Sequence, residues 1–199
     1  MLPLNPILEM SRIEYAGRNC YRSQDKIADD SYDKFIRMLI KRGHESPLEF
    51  GSMSFEILTS RAILAELTRH RVASFCVESQ RYVDYEQLTF IIPDWVQEAD
   101  KESAQMWFDS MRYAANTYQQ LRKNGKTPEL ARSVLPNDTA CHIIMSANLR
   151  EWRHVFKLRT SKGAHPQMRA LMKLGLEEAV KTFPCVFEDL VGEENATTA

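Results

Sequence analysis

Residues 52–58 alternate strictly, placing Met53, Phe55 and Ile57 on one face and Ser52, Ser54 and Glu56 on the other. A period of two is the mark of a strand buried on one side. Elsewhere the apolar period is that of a helix. Between Glu102 and Lys123, the residues Trp107, Met111, Ala114, Tyr118 and Leu121 recur at helical spacing, and Asn124-Gly125 supplies the stop. Asp29-Asp30-Ser31 opens a capped helix carrying Phe35, Ile36, Leu39 and Ile40, which closes at Gly43. Thr59 or Ser60 caps a short helix with Ile63, Leu64 and Leu67 on its apolar side. Thr127-Pro128 begins another, with proline where a missing N–H costs least, and it stops before Pro136. Residues 151–158 and 167–182 read as helices. Thr89 to Ile92, stopped by Pro93, reads as a strand; the apolar run Cys141 to Ala147 suits a buried strand, with a helix segment as the alternative. Helices and strands mix without a βαβ rhythm. The predicted class is therefore α+β: mixed helices, a mainly antiparallel sheet and a helical subdomain, with no Rossmann or P-loop signature.

A chain of 199 residues fits one α+β domain, here expected over residues 1–191, with a small, polar and disordered tail over 192–199. Its 26 Lys and Arg against 27 Asp and Glu leave a net charge of −1, a poor endowment for neutralising a phosphate polymer. A local basic cluster can still hold one or two phosphates, so charge favours a small ligand over nucleic acid. Cys20, Cys76, Cys141 and Cys185 are far apart, with neither zinc nor redox spacing. No secretory leader pattern and no apolar run of about 20 residues is present, and the expected location is cytoplasmic, away from membranes.

The densest polar stretch is residues 69–82, where Arg69, His70, Arg71, Glu78, Ser79 and Arg81 fall together, with Ser74 among them. Arginine offers a planar fork of donors that matches phosphate oxygens in pairs and keeps its charge at any working pH. Taken alone, the stretch is equally well a solvated basic loop. A second basic set, Arg132, Arg150, Arg153, Arg159 and Arg169, is interleaved with Asn148, His154 and His165. Helical spacing puts positions 150 and 154 on one face, with Arg153 elsewhere and read as exposed. His44 sits in a turn before the alternating strand. No paired metal-ligand spacing occurs, so no metal is expected; no GxSxG elbow occurs either, while composition alone leaves a Ser-His-Asp or Cys-His nucleophile open.

Arg69-His70-Arg71, seven residues and then Ser79, continued by Gln80-Arg81-Tyr82, resembles the signature of the flavin-dependent thymidylate synthases. Four further stretches are similar to elements of that family, in family order: His44-Glu45-Ser46-Pro47, Ala131 to Pro136, Asn148-Leu149-Arg150 with Leu158-Arg159, and Ala164 to Arg169. The resemblance runs from about residue 15 to residue 185.

It implies a methyltransferase that turns dUMP into dTMP, with 5,10-methylenetetrahydrofolate as one-carbon donor and FAD with NADPH as reductant. It also implies a homotetramer with active sites shared between chains. FAD contacts would fall on Ser46, Arg69, His70, Arg71, Asn148, Arg150 and His154. Contacts to dUMP would fall on Glu66, Arg69, Glu78, Ser79, Arg81, Arg132 and Arg159, with His44 and Tyr82 on the folate or flavin side. Arg159 would polarise the uracil, and Ser79 would position the nucleotide without attacking it. Two positions depart from the family pattern. Cys76-Val77 stands where many members carry Asn-Glu, which moves the acid to Glu78, and His154 stands where an Asn is often found. The competing reading of the arginine cluster is a non-enzymatic nucleotide- or RNA-binding module.

Overall fold

A computed structural model describes residues 1–192; residues 193–199, the greater part of the expected tail, lie outside the described residues. In chain order the elements are α1 (Pro6–Tyr21), α2 (Ser31–Lys41), β1 (Ser52–Ser60), α3 (Arg61–Leu67), β2 (Ser74–Val77), α4 (Asp94–Glu98), α5 (Lys101–Lys123), α6 (Pro128–Ala131), β3 (Ala140–Asn148), α7 (Leu149–Arg159), α8 (Pro166–Thr182) and α9 (Pro184–Phe187). Short 3-10 turns, including Ser46–Phe50 and Arg132–Val134, join them. The strands form one antiparallel sheet in the order β1-β3-β2, so the fold is α+β. No helix among the described residues is long and apolar enough to cross a membrane.

The chain divides into two compact units. One comprises Met1–Phe55, His70–Ser74 and the chain from Met145; the other comprises Glu56–Arg69 and Phe75–Ile144. In the first, α1, α2, α7, α8 and α9 pack together with the 3-10 turn Ser46–Phe50. Asn5 caps α1, its side chain accepting from the Leu8 N–H at 3.2 Å, and Pro6 takes the first helical position. Gly43 ends α2 at φ +70°, the left-handed conformation that glycine adopts without cost. The core is aromatic. Trp152 meets Phe55 edge-on at 5.0 Å and stacks on Phe156 at 5.4 Å, and Phe156 meets Phe187 edge-on at 5.6 Å. Trp152, Phe156, Phe183 and Phe187 are fully buried, each contributing about 2–3 kcal/mol through its apolar surface. Gly51 passes close to its neighbours: a Cβ there would stand 2.7 Å from the Ile13 side chain.

α1 escapes a reading by apolar period because several of its inward positions are charged. Glu14 and Arg18 are buried and paired, with Arg18 Nε donating to Glu14 at 2.7 Å, and Ser31 of α2 donates to the same carboxylate at 2.7 Å. The Arg18 guanidinium also lies over the Phe35 ring, 4.5 Å from its centre.

In the second unit, Ser60 caps α3 by accepting from the Ile63 N–H at 3.3 Å. The long helix α5 buries Trp107 and Tyr118, as the periodicity predicts. The Trp107 indole N–H donates to Asp138 at 2.9 Å, while Gln119 and Arg122 hold the loop after β2 through the Tyr85 carbonyl and Asp84. Residues 89–92 do not form the expected strand. Phe90 makes one isolated bridge to Thr139, because the opposing segment curls at once into a turn closed by the Thr139 N–H on the Pro136 carbonyl. The run 141–147 is a strand, and a half-buried one: Cys141, Ile143, Met145 and Ala147 point inward while His142 and Ile144 are exposed. Strand β2 falls inside the basic stretch 69–82 and was not foreseen. All four cysteines are free thiols, with Cys20 and Cys76 exposed and Cys141 and Cys185 buried.

The expectation that Arg153 is an exposed charge is overturned. Its side chain is 1% exposed and is clamped by Asp189 through two bonds of 2.7 Å, by Glu45 at 3.3 Å and by the Val186 carbonyl. Pairing with Asp189 and Glu45 outweighs burial and raises the guanidinium above its ordinary value. The clamp fixes the chain after α9 to α7. Breaking a buried pair costs about 3–5 kcal/mol, and Asp189 keeps 40% of its exposure, which eases its loss of a partner. Arg153→Ala is therefore expected to lower unfolding stability by about 3 kcal/mol in a denaturant titration.

Candidate functional site

The first unit contains a cleft of about 570 Å³ lined by Glu45, Glu49, Val72, Asn148, Arg150, Glu151, Arg153, His154 and Lys157. Helix α7 builds most of it. Asn148 starts the helix and caps it, accepting from the Glu151 N–H at 2.8 Å, and the Leu149 N–H donates to the Gly51 carbonyl at 2.9 Å. Along the helix, positions 150, 154 and 157 recur at three- and four-residue steps, so Arg150, His154 and Lys157 share the open side while Trp152, Val155 and Phe156 face the core. Arg150 is ion-paired with Glu49 at the rim.

Behind the cleft lies His70, 4% exposed. Its Nε2 is 3.0 Å from Arg159 Nε, its Nδ1 is 3.6 Å from Glu151 Oε1, and its ring meets that of His154 edge-on at 6.0 Å. Ligand atoms of His70, Glu151 and His154 all lie within 4.8 Å of one another. Arg71 and Ser46 are exposed in the same unit. No side chain pairs with the Arg71 guanidinium among the described residues. His44, also exposed, shares a 2.8 Å hydrogen bond between its Nδ1 and the Tyr21 hydroxyl.

The second unit carries the rest of the motif. Ser79 organises the turn after β2: its Oγ accepts from the Arg81 N–H at 3.3 Å, and its carbonyl accepts from the N–H groups of Tyr82 and Val83. Glu78 leaves its backbone N–H on the His142 carbonyl at 2.9 Å and its carboxylate on the Tyr85 hydroxyl. Burial, and then that carboxylate, pushes Tyr85 well above its ordinary range. Glu78 and Tyr85 line a smaller recess of about 180 Å³ with Thr139 and His142. Arg81 pairs with Glu129 at 2.8 Å, both about half exposed, and stands over the Tyr82 ring. Glu66 lies one turn before Arg69 in this unit, its carbonyl accepting from the Arg69 N–H at 3.2 Å. Arg69 and Arg132 carry guanidinium groups that no side chain pairs with among the described residues.

The structure thus gathers His70, Asn148, His154 and Arg159 in one unit, and Glu66, Arg69, Glu78, Ser79, Arg81 and Arg132 in the other. Sequence reasoning missed Glu151, Lys157, Glu45 and Tyr85. For Glu151 a signal existed: Glu-x-x-His at i,i+3, which sets both side chains on one face of a helix.

Burial, and then the neighbouring Arg159 and His154, pull His70 down to about 4 from its ordinary 6.5. An unfolded chain takes up this proton near pH 6.5, while the folded chain refuses it until near pH 4, so folding stability is lost as pH falls through that window. The stability advantage of the wild type over His70→Gln is expected to shrink between pH 6.5 and 4, by up to ~1.4 kcal/mol per pH unit. Paired denaturant titrations at several pH values measure it; an advantage that grows on acidification contradicts a neutral buried His70.

Comparison with known proteins finds relatives along most of the chain. The family described as thymidylate synthase complementing protein matches residues 8–185. A probable flavin-dependent thymidylate synthase of Mycobacterium phage D29 is 36% identical over 90% of this chain and 83% of its own length. The flavin-dependent thymidylate synthase of Pyrococcus furiosus is 34% identical over 90% of this chain and 75% of its own. That of Geobacter sulfurreducens is 34% identical over 89% and 80%. With its arginine-histidine motif, its α7 cleft and a match over nearly its whole length, this chain belongs to the thymidylate synthase complementing protein family.

Proposed function

We propose that this chain is a flavin-dependent thymidylate synthase, converting dUMP to dTMP with 5,10-methylenetetrahydrofolate as carbon donor and NADPH as the source of electrons. The observation that carries the reading is the state of the motif arginines. Arg69, Arg71 and Arg132 hold charges that no carboxylate neutralises among the described residues, in a chain whose net charge is only −1. Guanidinium groups without a carboxylate partner are matched to phosphate monoesters and diphosphates.

The residues fit FAD. Arg71 and Arg150 supply cations for its diphosphate, Asn148 and His154 supply amide and imidazole groups for a ring edge, and Ser46, Arg69 and His70 complete the set. When bound, FAD supplies the hydride that turns the transferred one-carbon unit into a methyl group. In the second unit, Arg81 and Arg132 hold the phosphate and sugar of dUMP, with Glu66, Arg69, Glu78 and Ser79 around the nucleotide. Ser79 positions rather than attacks: its Oγ accepts from the Arg81 N–H, and no base adjoins it among the described residues. Arg159 polarises the uracil, a fixed positive charge favouring electron density at the pyrimidine oxygens and N3. His44 and Tyr82 stand on the folate or flavin side. The assembly is a homotetramer with shared sites, acting in the cytoplasm on small molecules and not on nucleic acid.

The Arg81–Glu129 pair sets a quantitative condition. A half-exposed pair is worth about 0–1 kcal/mol, less than a charge-assisted bond to phosphate, so dUMP displaces Glu129 from Arg81. Glu129→Gln is expected to bind dUMP as tightly as wild type or up to about 5-fold tighter, while Arg81→Ala weakens it by about 10-fold or more. Calorimetric titration with dUMP measures both, and unchanged affinity in Arg81→Ala removes Arg81 from the phosphate site.

The deciding experiment is the absorbance spectrum of the purified protein, followed by tritium release from 5-tritiated dUMP with methylenetetrahydrofolate and NADPH. A flavin spectrum with folate-dependent release is expected. A colourless protein that stays inactive after added FAD favours the binding-module reading.

A further inference from the structure

The geometry points to Glu151 as a positioning residue for Arg159, acting through His70; this rests on the synthase reading above. Arg159 Nε always carries its hydrogen, so at 3.0 Å it is the donor and His70 Nε2 the acceptor. A neutral imidazole accepts at one nitrogen and donates at the other, so the His70 hydrogen sits on Nδ1. Nδ1 is the nitrogen that faces Glu151 Oε1, at 3.6 Å. The carboxylate favours the Nδ1–H form by attraction, and that form leaves the Nε2 lone pair for Arg159. Glu151, His70 and Arg159 thus make a directed chain in which the acid selects the tautomer and the tautomer holds the guanidinium.

The three members come from two rigid places. Glu151 and Arg159 stand at opposite ends of α7, whose cap and core side are fixed by Asn148 and Trp152. His70 begins the short segment His70–Ser74, and the Ala73 N–H closes back on its carbonyl at 3.2 Å. His70 is 4% and Glu151 13% exposed at the side chain, so water competes little for either. The bond from Nε to His70 helps set the orientation of the Arg159 guanidinium.

The same cluster reads differently as a metal centre, since a Glu-x-x-His pair plus a second histidine is a familiar ligand set. Its protonation argues against that use. A metal on His70 Nδ1 needs the lone pair there and moves the hydrogen to Nε2, where it opposes the N–H of Arg159. The Arg159–His70 hydrogen bond and a metal on Nδ1 exclude each other.

Nitrogen NMR of the flavin-loaded wild type, with labelled histidine and His70→Gln to assign the signal, reads the tautomer directly. The Nδ1–H form is expected for His70, and finding the Nε2–H form overturns the inference without bearing on the synthase reading. In Glu151→Ala, His70 is expected to shift toward the Nε2–H form, and dUMP-dependent tritium release to fall about 10-fold in kcat. The KM for dUMP is expected to change less, because the phosphate contacts are untouched. Glu151→Gln keeps an acceptor oxygen and is expected to recover most of the rate and the wild-type tautomer. If Glu151→Ala keeps its rate, or if Glu151→Gln is as impaired as Glu151→Ala, Glu151 does not position Arg159. If Glu151→Ala does not fold, the wild-type tautomer and the Glu151→Gln rate decide the matter alone. A wild type with no tritium release at all overturns the synthase reading instead.

Discussion

The Trp152 indole N–H donates to the Met53 carbonyl at 2.8 Å, and much else in the first unit follows from that bond. A buried indole N–H needs an acceptor, and a strand-edge carbonyl needs a donor; each satisfies the other where water cannot reach. The bond fixes the rotation of α7 about its own axis. Once that rotation is set, Val155 and Phe156 must face the core, and Arg150, His154 and Lys157 must face the cleft. The Arg153 guanidinium is driven inward by the same rotation, and Asp189, Glu45 and the Val186 carbonyl are what make its burial tolerable. A helix with one open face and one ionic anchor is a stiff platform, and stiffness is what a site needs when a small displacement of a charge alters its effect on a substrate.

Charge is distributed with the same economy. Carboxylates neutralise the buried Arg18 and Arg153, whose tasks are in the frame of the protein. Arg69, Arg71 and Arg132 have no such partners among the described residues. A guanidinium left without a carboxylate in a protein of nearly zero net charge keeps its full field for an incoming anion. His70 belongs to neither group. Buried beside a cation, it stays neutral at working pH and faces Arg159 through Nε2 as an acceptor rather than as a charge.

Much of this was legible in the sequence, and what was not has physical causes. The strand β1 and helix α5 follow a single clean period because one side of each faces apolar neighbours, so Met53 with Phe55 and Trp107 with Tyr118 announce them. Helix α1 hides because Glu14 and Arg18 occupy inward positions as a pair, which erases the contrast that a periodic reading depends on. Arg153 misleads for the same reason. Its partners Glu45 and Asp189 lie 108 and 36 residues away along the chain, beyond any local pattern. The arginine-histidine motif was readable because its residues are contiguous. The link from His70 to Arg159 spans 89 positions and appears only when the chain is folded. Residues 89–92 carry the composition of a strand, yet the turn at Pro136 withdraws the backbone they would pair with.

The placement of the thiols has a consequence for watching the protein move. Cys141 lies in the second unit and Cys185 in the first, and burial pushes both above the ordinary thiol value, Cys185 to about 12. Neither forms appreciable thiolate in the closed state, so neither reacts with an alkylating reagent until its surroundings open. Each unit therefore carries its own chemical clock, and the mass gained at each position dates the opening of one half of the chain separately from the other.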